Sequence, residues 1–75
     1  MLTPREIEVL EHLSNGGSNQ KIALDLHICE RTVKNHCKNI YHKVGVPSWA
    51  NNRVWIVIHA AETLEKCYTQ KELTL

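Results

Sequence analysis

What this 75-residue chain lacks narrows its class before any motif is read. Its longest apolar stretch, Val54 to Ala61, is far short of the ~20 residues that cross a bilayer. No segment of the sequence reads as a secretory leader, so a reducing cytoplasm is the expected compartment. The three cysteines, Cys29, Cys37 and Cys67, are odd in number and have no disulfide spacing. Five histidines accompany them, but no Cys-x2-Cys or His-x3-5-His pair is answered by a second pair. His36 and Cys37 diverge by ~100° on a helix and cannot both face one ion, so neither metal nor cofactor is expected. There is no internal repeat and no low-complexity segment. A hydrolase built on Cys and His would need a pocket holding nucleophile, base and orienting group. A domain this small, with its charges outside, leaves little room for one, and the enzyme class is rejected.

The chain also has little net charge. Nine Lys+Arg against eight Asp+Glu leave +1, so bulk charge does not announce a nucleic-acid binder. The distribution does. Glu6, Glu8 and Glu11 make the first segment acidic, whereas residues 31 to 43 hold Arg31, Lys34, Lys38 and Lys43 and no acid. Placed on a helix at ~100° per residue, Val33, Cys37, Ile40 and Val44 share one side, and Arg31, Lys34, Asn35, Lys38 and His42 share the other. An apolar stripe backed by a cationic, amide-bearing face suits a helix lying in a major groove. There Lys and Arg pair with phosphates and guanine edges, and Asn reads adenine. A plain solvated lysine face is the alternative, and the helix and tight turn that precede it argue against that.

Local signals divide the chain into four helices. Thr3-Pro4-Arg5-Glu6 is a helix start with a capping box and Pro at the first position. Val9, Leu10 and Leu13 face inward, Ile7 sits at a flank, and Asn15-Gly16-Gly17 is the stop. Ser18 caps a second helix that buries Ile22, Ala23 and Leu26 and leaves Leu24 outside. His27-Ile28-Cys29 makes the turn, with Ile28 plugging the core. The third helix runs from about Glu30 to Lys43, with Gly45 free to take the left-handed cap. Cys29 stands at its cap position, and a thiol is a poor acceptor there. Ser48 is read as the start of the fourth helix, ending near Lys66. Its inner stripe is expected to be Ala50, Val54, Val57, Ile58, Ala61 and Leu64. Trp49, Asn52, Trp55, Ile56, His59 and Thr63 fall on the other side. Residues 1–66 then form the domain and 67–75 a polar tail that frays from Tyr68.

The segments LTPRE, EVL, SN..IA..L, ERTVK.H..NI and KVGV, in that order between Leu2 and Val46, resemble the LuxR-type helix-turn-helix domain of bacterial transcription regulators. The resemblance implies an all-α, four-helix bundle whose third helix enters the major groove and whose fourth pairs with its twin. It puts Lys34, Asn35 and Lys38 at positions that meet base edges, within the reading set of Arg31, Lys34, Asn35, Lys38 and His42. It makes Thr32, Lys43 and the Ser18-Asn19-Gln20 helix start phosphate contacts, the last through its outward amides. Where the family usually has a hydroxyl or Asp cap this chain has Cys29, and where it often has Arg after Ser48 the chain has Trp49.

The expected function is therefore sequence-specific binding of duplex DNA to control transcription, by a stand-alone regulator or an excised C-terminal effector domain. A homodimer would occupy two half-sites about one helical turn apart, through Trp49, Asn52, Trp55, Ile56 and His59. RNA polymerase is a further candidate partner. Two rivals stand beside this reading. One is a sigma-factor region-four module that binds a promoter element; the other is an interaction module that has lost DNA binding.

Overall fold

The computed structural model describes residues 2–73, which form four helices, with no strand among them. Helix α1 spans Pro4–Ser14, α2 Asn19–Leu26, α3 Glu30–Val44 and α4 Asn52–Leu73. No helix among the described residues is long and apolar enough to cross a membrane.

The predicted α1 start forms as expected. Thr3 Oγ1 accepts from the Glu6 amide at 3.2 Å, and the Thr3 amide donates to Glu6 Oε1 at 2.8 Å. Two of the amides a helix start leaves without partners are thus satisfied reciprocally. Asn15 closes the helix and Gly16 takes φ +78°. At α2, Ser18 Oγ accepts from the Lys21 amide at 3.2 Å. The short turn into α3 pivots on His27, which adopts the left-handed conformation at φ 57°. That region is uncommon for any residue but glycine, although histidine enters it more readily than most. At the far end of α3, Gly45 at φ 83° makes the same kind of stop without a Cβ to strain. Cys29 caps α3 without any side-chain cap bond, as its thiol predicts.

The core sits where α1 lies across α3 and α4, with α2 packed on α3. Val9, Leu10 and Leu13 from α1 meet Ile22 and Ala23 from α2, Val33, Cys37 and Ile40 from α3, and Ile56 and Ala60 from α4. Leu26, Ile28 and Val44 are half-buried against this cluster, and Leu24 is exposed. α2 and α3, joined by that turn, are a helix-turn-helix braced from behind by α1.

The fourth helix departs from the sequence expectation in three ways. It begins at Asn52 rather than Ser48, because Pro47–Ala50 closes a turn and Asn51 Oδ1 supplies the cap, accepting from the Val54 amide at 3.2 Å. It continues to Leu73, so the stretch expected to fray from Tyr68 is helical that far; residues 74 and 75 lie outside the described residues. Its faces are also exchanged, apart from Leu64, which packs inward as expected. Ile56 and Ala60 are fully buried, with Leu64 and Cys67 packed beside them, whereas Val54, Val57 and Ile58 are exposed. The physical reason is that α4 is apolar on both sides. Ile56, Ala60, Leu64 and Cys67 make a stripe at i, i+4, i+8 and i+11 as good as the opposite one, and it includes small Ala60, which lets the helix approach α1 closely.

Candidate nucleic-acid interface

The cationic face of α3 is held outward by the buried stripe on the same helix. With Val33, Cys37 and Ile40 locked into the core, rotation about the helix axis is fixed, and Arg31, Lys34, Asn35, Lys38 and His42 all stand exposed on the other side. At 1.5 Å per residue these five span roughly 16 Å along the axis, enough to follow several base pairs of a groove. Toward the C-terminal end, Lys38, Asn39, Tyr41 and His42 line an open groove with Val46 and Asn52 from the following turn and α4.

The flanking residues are more committed. Thr32 is half-buried, and its hydroxyl lies 3.1 Å from Cys29 Sγ. That contact and the Thr32 backbone amide together pull the exposed Cys29 thiol below its ordinary pKa. Ser18 spends its hydroxyl on the α2 cap, while Gln20 is exposed. Lys43 reaches back across 37 positions to donate to Glu6 Oε1 at 2.8 Å. Burial alone would push the Glu6 carboxyl up; the Lys43 ammonium and the Thr3 amide outweigh it and hold Glu6 below the ordinary carboxylate range. The pair ties the last turn of α3 to the first turn of α1.

A second tether was invisible in the sequence pattern. Arg53, in the first turn of α4, donates through Nη1 to Asn19 Oδ1 at 2.8 Å and through Nη2 to the Gly17 carbonyl. It also acts electrostatically on Cys37 and Tyr41 of α3, whose pKa values burial raises. Both tethers join residues more than thirty positions apart, and no local spacing announces them.

The dimer residues expected on α4 do not form one exposed patch. Trp49 is 83% exposed and Asn52 is exposed. Trp55 is half-buried against the core and stacks on His59 at 4.1 Å between ring centres, with His59 also 3.9 Å from Glu62. Ile56 is fully buried inside the monomer, so it is withdrawn from the dimer surface. The apolar side chains that α4 does present are Val54, Val57 and Ile58, the last 68% exposed. Among the described residues no group of three or more His, Cys, Asp or Glu is placed to hold a metal ion.

Known proteins resemble this chain over most of its length. The family described as "Bacterial regulatory proteins, luxR family" matches residues 1–60. The chain is 43% identical over 60 residues to the probable csgAB operon transcriptional regulatory protein of Salmonella typhimurium, a match covering 72% of this chain and 28% of that protein. It is 56% identical over 45 residues to the transcriptional regulatory protein LnrK of Bacillus subtilis, covering 60% and 20%. It is 45% identical over 60 residues to the response regulator protein VraR of Staphylococcus aureus, covering 80% and 27%. The chain thus spans about a quarter of the length of such relatives. No solved structure gives a significant match.

Proposed function

Because the chain belongs to the luxR family of bacterial regulatory proteins, we propose that it binds duplex DNA sequence-specifically and thereby controls transcription. The observation that carries this reading is the acid-free, exposed face of α3, set rigidly outward by a fully buried stripe on the same helix. In this reading Lys34, Asn35 and Lys38 meet base edges, with Arg31 and His42 at the two ends of the face. The start of α2 meets a phosphate through Ser18, Asn19 and Gln20, where outward amides and the positive end of the helix dipole coincide. Thr32 remains a candidate phosphate contact. Lys43, engaged with Glu6, would have to be shared between that carboxylate and the backbone.

The chain acts as a homodimer on two half-sites about one helical turn, or ~34 Å, apart. Support for a dimer comes from the apolar side chains left outside the monomer core on and before α4: Trp49, Val54, Val57 and Ile58. The test of the whole reading is selection of binding sites from a random duplex pool with the purified chain. A recovered consensus with two-fold symmetry supports it; a pool that stays random at every round refutes it.

A further inference from the structure

We infer that Arg53 is the positioning residue for the phosphate-facing end of α2, an assignment that rests on the DNA-binding reading above. Its guanidinium forks across the helix cap: one nitrogen holds Asn19 Oδ1 at 2.8 Å, and the other holds the Gly17 carbonyl. Gly17 and Asn19 are the residues on either side of Ser18, the N-cap. Fixing both fixes the direction in which the Ser18 peptide and the first amides of α2 point. A lysine could supply the charge but not two parallel donors in one plane. The arrangement runs against stability considered alone, since a cation beside a helix N-terminus opposes the macrodipole. For binding an anion it is favourable, because the part-buried guanidinium adds its positive potential behind the amides. Because Arg53 grows from the first turn of α4, it ties the start of α2 to that helix.

Ethylation interference reads phosphates one at a time, and dimethyl sulfate protection reads guanines. Both are applied to the wild-type chain on a duplex recovered by site selection. Arg53→Met is expected to bind about tenfold more weakly and to lose interference at one or two phosphates. Those are the same phosphates that Asn19→Ala loses, and guanine protection by α3 stays unchanged. Arg53→Lys should show the same selective loss. A variant that is merely less stable weakens every contact together, so uniform weakening in a protein that still melts above the assay temperature overturns the assignment. An unchanged pattern, or full recovery by Arg53→Lys, overturns it as well. If Arg53→Met does not fold, Arg53→Lys and Asn19→Ala decide the matter on the same readout. A wild-type chain that binds no duplex refutes the DNA-binding reading and this role together; a wild type that binds while the variants keep its pattern refutes this role alone.

Discussion

Removing the Lys43 ammonium should destabilise the fold most at neutral pH and least in acid. The Glu6 side chain is 4% exposed and shares one oxygen between Lys43 Nζ and the Thr3 amide, each at 2.8 Å. Breaking a fully buried ion pair costs ~3–5 kcal/mol, because a charge is left behind without its partner. Lys43 is 36% exposed, so water already screens part of the attraction and can reach the vacated position. Glu6 also keeps its Thr3 bond. Lys43→Met therefore should cost about 1–2 kcal/mol, a fall in Tm of roughly 5–15 °C for a domain of this size. The pH dependence follows from the direction of the Glu6 shift. Its folded pKa is depressed, so it contributes stability that is present above the ordinary glutamate range and is lost as pH falls through the folded value. Without Lys43, burial acts with less opposition, so the Glu6 carboxyl loses part of its depression and the stability that goes with it. The gap between wild type and variant should narrow on acidification. Thermal melts of both proteins across an acid-to-neutral series measure it, with Glu6→Gln/Lys43→Met closing a double-mutant cycle. Equal melting temperatures at neutral pH, or a gap that persists in acid, would refute the reasoning.

Cys29→Ser restores a hydroxyl acceptor at the α3 cap, and Cys29 is exposed, so no buried packing is lost; a Tm a few degrees higher under reducing conditions is expected, and a lower one counts against the capping argument. The exchanged faces of α4 are tested by a pair of variants. Ile56→Glu should unfold the monomer, since it buries a charge in the core, whereas Ile58→Glu should fold normally by circular dichroism yet lose cooperative filling of a two-site duplex. A folded Ile56→Glu protein would reverse that assignment, and a cooperative Ile58→Glu protein would move the dimer surface elsewhere.

How much of this was legible beforehand depends on how one-sided each helix is. The α1 start was readable because a capping box is a local pattern, and Glu6 sits three residues after Thr3. In α3 the apolar and cationic residues segregate cleanly, so periodicity alone gave both the buried stripe and the exposed face. In α4 it failed for all but Leu64, because Val54, Val57, Ile58 and Ala61 compete with Ile56 and Ala60, and only packing against α1 chooses between them. The Asn51 cap was available to be read, and Ser48 followed by Trp49 obscured it. Glu6 had a complete local explanation in the capping box, which concealed its second partner 37 residues away. Arg53 fell between the two faces assigned to α4, and its partners lie 34 and 36 positions earlier. His27 carries no sequence mark for its left-handed backbone beyond closing a short helix.

The central claim is that the exposed face of α3 reads duplex DNA. Fluorescence anisotropy titrations on the selected duplex and on a scrambled one, with wild type, Lys34→Ala and Lys38→Ala at one fixed salt concentration, test it most directly. Each substitution should weaken binding to the selected site by ~1–3 kcal/mol, and Lys34→Ala should also narrow the ratio between selected and scrambled duplex, as loss of a base contact requires. Two folded variants that bind both duplexes as tightly as wild type would contradict the account.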